Sequence, residues 1–520
     1  MNMAALESGR GVRLLNPEED HTFSLDEDSM NQIFGRDDVK DRYVVVLSVA
    51  GAFRKGKSFI LNFFLRYLNH KYNLKDNGDW LGDEKVPLKG FSWRGGSERH
   101  TTGLVLWSQP FLTTINGDKV AIFLMDTQGT FDSSSTVKDN ATVFALSTML
   151  SSVQIYNVSQ NIEEDDLQHL QLFTDYGRLA LENTSGKPFQ KLELLVRDWN
   201  YAYEYPYGAG GGAQLLEKRL QLQNNQHEEL QSLRRHIKEC FEEIGCFLMP
   251  HPGLIVATDP QFTGTLADIS SEFKTSLREL VPMLLAPDNL ICKKIAGQLL
   301  KAKDMVHYFK AYMTVFNGSD LPEPKTILAA TAEANNLSAL SESRDVYEYL
   351  MEEVVGGSKP YLDQNSLEQQ HERAKNKALH AFQAKRKMGG TDLESTYQDR
   401  LVKEIDEQYV QYRANNDAKK LLNFTGTPMI LGSLVLLGLL LSFVGDNLGI
   451  RILVVIGQII AVGAILTLGV WIYSRITGEM REIGVTIDRI MDEVRNVVMM
   501  KAVSSATQEL TTPLADKKDS

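Results

Sequence analysis

The chain has 520 residues, 43% of them hydrophobic and 23% charged, proportions that exclude a disordered or collagen-like chain and suit two to four domains. Its formal net charge of −12 argues against a general nucleic-acid binder, which would carry a basic face. Cys240, Cys246 and Cys292 lack CxxC or histidine-rich spacing, which argues against a disulfide framework or zinc site and points to a reducing compartment.

Residues 1–40 are polar and acidic and lack the apolar segment of a signal peptide, so a loosely ordered arm starting in the cytosol is expected. Tyr43 to Val49 is a short β-branched run that predicts a buried strand. A glycine-rich turn and an apolar helical stretch, Phe59 to Leu68, follow it. Val120 to Met125, Lys191 to Val196 and Leu254 to Ala257 predict further strands. Strands separated by helical segments over 41–316 predict an α/β domain with a mostly parallel sheet, whose ligands sit at the carboxyl ends of the strands. The polar stretch 317–325, with Pro322 and Pro324, reads as a hinge linker. Over 326–420 a helical bundle is expected, punctuated by Gly356-Gly357 and Gly389-Gly390. Leu393, Tyr397, Leu401, Ile405, Tyr409 and Tyr412 recur there at helical spacing and predict a buried face.

Two apolar runs, 429–445 and 452–473, are split by a short polar turn and read as a membrane hairpin. Lys419 and Lys420 before it and Arg475 and Arg481 after it place both flanks on the cytoplasmic side. In the tail, 474–520, residues 479–503 form an amphipathic pattern. Ile483, Ile487, Ile490, Val494, Val497 and Val498 line one face, and Arg481, Asp488, Arg489, Asp492, Glu493 and Arg495 the other. Such a helix lies in a membrane interface or pairs with another helix.

Gly51-Ala52-Phe53-Arg54-Lys55-Gly56-Lys57-Ser58 fits G-x-x-x-x-G-K-[ST] between a strand and a helix, a phosphate-cradling loop. Lys57 is expected to reach the β- and γ-phosphates and Ser58 to ligate Mg²⁺. Asp126-Thr127-Gln128-Gly129 has the D-x-x-G form at a strand end, where Asp126 can hold the metal and Gly129 can offer its N–H to the γ-phosphate. Gln128 can position water or serve through its backbone. Between the two motifs, Arg94 to Gly103 suits a switch, with Thr101 closing on Mg²⁺. No N-K-x-D ends a strand. Arg197-Asp198 follows one instead, and a carboxylate there can accept from guanine N1–H and N2–H₂, an edge that adenine lacks. Arg54 is either a solvated cation or an arginine finger in cis.

These residues, with Phe91-Ser-Trp-Arg-Gly-Gly-Ser-Glu-Arg99, Thr101-Thr102-Gly103, Asp126 to Asp132, Glu164 to Phe173, Val196-Arg-Asp-Trp199, His251-Pro-Gly253, Ala330 to Leu337 and Lys387 to Gly390, make the chain resemble the atlastins. These are dynamin-superfamily membrane-fusion GTPases of the endoplasmic reticulum. The resemblance implies a P-loop GTPase domain, a helical bundle, a transmembrane hairpin and an amphipathic C-terminal helix. It implies GTP as substrate with Mg²⁺, and Arg54, Lys57 and Thr101 in catalysis. Nucleotide contacts would come from Arg54, Lys55, Gly56, Lys57, Ser58, Phe59, Gln128, Arg197, Asp198, Val256 and Asp259, and metal contacts from Ser58, Thr101 and Asp126. It further implies homodimers in cis and in trans, a lipid bilayer as partner with other membrane-shaping proteins beside it, no nucleic acid, and a multi-pass protein with both termini in the cytosol. Two rival readings stand beside GTP-driven fusion: a GTP-regulated tether or shaping scaffold, and a fission GTPase, against which the integral hairpin weighs.

Overall fold

A computed structural model describes residues 9–494 except 19–21, 53–54, 77, 94–102, 130–135, 180–185, 224–225, 318–323, 358, 360, 423–425, 478–479, 481, 485 and 492. The chain divides into two compact units, Met1–Ser338 with Arg386–Glu394, and Ala339–Lys385 with Ser395–Ser520.

The first unit is built on nine strands: β1 (Gly11–Pro17), β2 (Phe23–Leu25), β3 (Tyr43–Gly51), β4 (Leu104–Trp107), β5 (Phe111–Ile115), β6 (Asp118–Thr127), β7 (Val153–Ser159), β8 (Phe189–Arg197) and β9 (Phe241–Leu248). They form one sheet in the order β2-β1-β4-β6-β3-β7-β8-β9, with β5 also paired to β6. The centre, β6-β3-β7-β8-β9, is parallel. The β1, β2, β4 and β5 side is antiparallel. The continuous Val-Val-Val-Leu run of β3 follows from this position, because a central parallel strand is covered on both faces.

Helices α1 (Glu27–Phe34), α2 (Lys57–Leu68), α3 (Val137–Leu150), α4 (Glu164–Leu179), α5 (Ala209–Leu220), α6 (Glu228–Cys240), α7 (Ser271–Leu285) and α8 (Ala302–Phe316) cover the sheet. Phe63 and Phe64 of α2 and Phe273 and Leu277 of α7 pack with Val45 and Leu47 on one face. Phe34, Phe144 and Phe309, from α1, α3 and α8, pack with Val44 and Val46 on the other. Each such side chain contributes roughly 2–3 kcal/mol of burial. Strand β3 thus leads into a helix on one face and β6 into a helix on the opposite face. The carboxyl ends of strands that diverge in this way are where open α/β sheets bind ligands.

Two expectations change. The stretch expected to be a loose arm contains β1, β2 and α1, with Leu14, Leu15, Phe23, Met30 and Phe34 buried. Part of its acidity is helix-start chemistry: Asp26 accepts from Ser29 N at 2.9 Å, and Glu27 and Asp28 occupy the first turn of α1. Leu254 to Ala257 is not a strand but lies in a one-turn helix, Leu254–Thr258, with Leu254 and Ile255 exposed. Gly253, at φ 124°, precedes that turn. The neighbouring parallel strand is β9, whose Glu242 and Glu243 face outward and hide its apolar pattern.

Helices α9 (Pro324–Val355), α10 (Gln364–Ala384) and α11 (Thr391–Leu422) follow. Most of the predicted hinge, 318–323, lies outside the described residues. Within the second unit, Tyr347 and Leu401 are fully buried. The Tyr347 hydroxyl is 2.8 Å from His371 Nδ1, and the imidazole stacks on Tyr409 at 3.9 Å. Of the predicted stripe, Tyr397, Leu401 and Ile405 are buried, and Leu393, Tyr409 and Tyr412 are half-buried.

Two further helices, α12 (Thr427–Asn447) and α13 (Arg451–Thr477), are long and apolar enough to cross a membrane. They approach backbone to backbone. A Cβ on Gly438 would lie 2.6 Å from Gly457 O, and one on Gly457 would lie 2.4 Å from Gly438 O. Small residues at the contact are how helices pack where apolar burial supplies no driving force. The helical tail residues between 482 and 494 pair with this hairpin. Asp488 Oδ1 accepts from Trp471 Nε1 at 2.7 Å and from Thr427 Oγ1 at 2.6 Å, while Met491 packs with Leu431 and Ala464. Residues 495–503 of the predicted amphipathic helix lie outside the described residues.

Candidate active site

The phosphate loop leaves β3 at Gly51 and enters α2 at Lys57. Gly56 sits at φ 73° and ψ 31°, a left-handed turn that a side chain disfavours, so glycine is required where the loop becomes helix. The start of α2 lies there, and the positive end of a helix favours an anion.

Lys57 is buried, and its ammonium donates to Gly51 O and Ala52 O, each at 3.1 Å. Burial lowers its pKa to about 8, with the Asp126 carboxylate opposing the shift. Ser58 Oγ donates to Asp126 Oδ2 at 2.5 Å. A hydroxyl and a carboxylate so close form an all-oxygen donor set of the kind Mg²⁺ accepts, because that ion keeps several waters and needs few protein ligands. Phe59 is turned into the core against Phe63 and Trp93, both at 5.1 Å between ring centroids. Any nucleotide contact of Phe59 is therefore through its backbone.

Arg54 and Thr101 lie outside the described residues, as does the segment 94–102. Gly103, the first described residue after it, is held by Gln128, whose side-chain oxygen accepts from Gly103 N at 2.9 Å while the Gln128 backbone N–H donates to Gly103 O at 2.8 Å. Of the two roles open to Gln128, the side chain is committed to this clamp, leaving the residue 2% exposed. Gly103 has φ 65°, and a Cβ there would meet Leu15 O at 1.8 Å. Thr127 Oγ1 donates to Val49 O at 3.0 Å and ties β6 to β3.

Arg197 ends β8 with its guanidinium turned toward the phosphate loop. Its Nη1 lies 3.3 Å from Lys55 O and 3.4 Å from Gly56 O, and Cζ sits 5.5 Å from the Phe273 ring. Burial lowers the pKa of this group, with Asp198 opposing. Asp198 is half-buried at φ 58°, a left-handed conformation that aspartate tolerates better than most residues. Val256 is half-buried and Asp259 exposed, in the segment after β9, and Asp259 Oδ1 accepts from Gln261 N at 2.8 Å.

The structure thus brings Lys57, Ser58, Asp126 and Arg197 together around the loop, and places Asp198, Val256 and Asp259 after the adjacent strands β8 and β9. Sequence reasoning missed Asn157, which donates from Nδ2 to Lys55 O at 3.0 Å, and Phe273 beneath Arg197. A lone amide in the otherwise apolar Ile-Tyr-Asn-Val of β7 is the one signal that pointed to it.

The family model for the guanylate-binding protein N-terminal domain matches residues 20–294. The chain is 54% identical over 481 residues to Atlastin of Drosophila melanogaster, covering 92% of this chain and 89% of that one. It is 51% identical over 487 residues to Atlastin-2 of Homo sapiens, covering 94% and 83%. Against Atlastin-1 of Mus musculus it is 50% identical over 480 residues, covering 92% and 85%.

Proposed function

This chain belongs to the atlastin family and is a GTPase, and on that premise we propose that it couples GTP binding and hydrolysis to the fusion of endoplasmic reticulum membranes. One observation carries this reading. The D-x-x-G segment that senses a γ-phosphate is joined through Gln128 to the end of the switch segment, in a chain that also carries a membrane-length hairpin.

In this reading Lys57 and the helix-start N–H groups bind the β- and γ-phosphates. Ser58, Asp126 and Thr101 hold Mg²⁺, which when bound neutralises phosphate charge. Asp198 accepts from the guanine edge, with Val256 and Asp259 beside the base. Arg54 acts as a finger in cis on charge developing between the phosphates. Molecules anchored in opposing bilayers pair through their GTPase domains in trans and also associate in cis. Both termini lie in the cytosol, and other membrane-shaping proteins of the same compartment are candidate partners. The residues 317–325 transmit the nucleotide state to the helices that follow.

Replacing Arg54 by alanine is expected to lower kcat by about 10³-fold and leave nucleotide affinity within a few-fold, read by single-turnover hydrolysis beside equilibrium binding. An unchanged turnover would return Arg54 to the role of a solvated cation. The full-length chain in two liposome populations, one carrying a quenched lipid dye, tests the whole reading. Lipid mixing with GTP and none without it is expected. Clustering without mixing would establish the tether in its place.

A further inference from the structure

One carbonyl oxygen of the phosphate loop is held from two strands at once. Lys55 O accepts from Asn157 Nδ2 at 3.0 Å and from Arg197 Nη1 at 3.3 Å, and the same Nη1 lies 3.4 Å from Gly56 O. The two donors come from β7 and β8, which run parallel and adjacent. Asn157 is fully buried and Arg197 is 3% exposed. A guanidinium this far from water needs partners in exchange, and it has two carbonyls and the face of Phe273. The fit is close: a Cβ on Gly56 would lie 3.2 Å from Arg197 Nη1.

Peptide planarity turns this grip into function. The C=O of Lys55 and the N–H of Gly56 share one plane and point in opposite directions. The same holds for Gly56 C=O and Lys57 N–H. Drawing both carbonyls back toward the sheet aims both N–H groups out of the loop, where a phosphate would lie. Asp198 adopts the left-handed conformation immediately after Arg197, so the chain changes direction between them.

We infer that Asn157 and Arg197 are positioning residues that aim the phosphate loop through its Lys55 carbonyl, and that in the Arg197-Asp198 pair Asp198 alone reads the base. The inference rests on the GTPase reading of the site. It divides the pair expected to hold guanine: one residue serves phosphate affinity and the other base choice.

The test uses the full-length chain in detergent, with GTP, ITP and XTP as probes. Asn157→Ala and Arg197→Met should each weaken GTP and ITP by one common factor, about 3- to 10-fold, as expected for the loss of a hydrogen bond to a loop carbonyl. The GTP to ITP ratio should stay within about twofold. Arg197→Lys keeps a donor and should recover part of the loss. Phe273→Leu removes the ring beneath Arg197 and should give the same pattern more weakly. Asp198→Asn should move preference from GTP toward XTP. Because both donors share one acceptor, Asn157→Ala and Arg197→Met should be non-additive in a double-mutant cycle. A GTP to ITP ratio that collapses in Arg197→Lys would overturn the inference, as would an Asn157→Ala protein with unchanged affinity for both nucleotides. If Arg197→Met does not fold, Asn157→Ala and Phe273→Leu decide. A wild-type protein that bound no guanine nucleotide would sink the GTPase reading itself, a separate outcome.

Discussion

Alanine at position 57 is expected to cost at least about 100-fold in GTP affinity, the largest loss from any single side chain in the site. The ammonium is already oriented by Gly51 O and Ala52 O on the loop that would surround the phosphates. Exchanging these neutral acceptors for phosphate oxygens forms charge-assisted bonds of about 1.5–3 kcal/mol each, and about 1.4 kcal/mol is a tenfold change. Titration with a fluorescent guanine nucleotide checks this, and retained tight binding would mean that the loop is misread. A pH dependence follows from the same group. With a pKa lowered to about 8 by burial, the free protein loses this proton above pH 8, and binding must then restore it. Affinity should fall toward about tenfold per pH unit above that point, and this component should vanish in Lys57→Ala. The sign for stability is opposite. Between about 8 and the ordinary value of 10.5 the folded chain holds less of this proton than the unfolded chain. The cost of burying the ammonium is therefore present below pH 8 and relieved as pH rises through that window.

Valine at position 103 is expected to destabilise the first unit by at least about 3 kcal/mol, with a melting temperature lower by at least roughly 4 °C for a unit of this size. Two terms add. The left-handed φ of 65° costs a β-branched residue at least about 1 kcal/mol. The new Cβ would also fall 1.8 Å from Leu15 O, backbone that cannot rotate aside, so β1 or β4 must move. Because Gln128 grips both the N–H and the C=O of Gly103, hydrolysis should fall even at temperatures where the variant stays folded. Thermal denaturation followed by circular dichroism, beside a hydrolysis assay, checks both. A variant with wild-type melting and turnover would show that this contact is dispensable.

The phosphate loop, the D-x-x-G segment and the membrane-length helices were legible because each is contiguous: eight adjacent residues, a strand end, two unbroken apolar runs. What was hidden depends on residues distant in sequence. The N-terminal strands looked like a polar arm because Leu14, Leu15 and Phe23 are isolated among polar neighbours and become a core only when β1 pairs with β4, some ninety positions later. Strand β9 was masked by its glutamates, and the apolar Leu254 and Ile255 that took its place are exposed. Gln128 drew notice as a water ligand through its neighbours in the motif, whereas its partner is Gly103, at the opposite end of the switch segment. Asn157 belongs to no motif and is defined by a carbonyl 102 positions away.

The glycine contact between α12 and α13 bears on how the hairpin would present itself to a bilayer. Each backbone sits in a notch cut by the other's missing side chain, at Gly438 and Gly457. The notch is closed one turn further along the same face of each helix, where Ala461 lies against Gly438 and Leu441 and Ser442 lie against Gly457, so a piston-like slip along the axis would press a carbonyl against these neighbours. The two helices are therefore interlocked along their shared face, and in a bilayer the lipids around the pair would meet one unit.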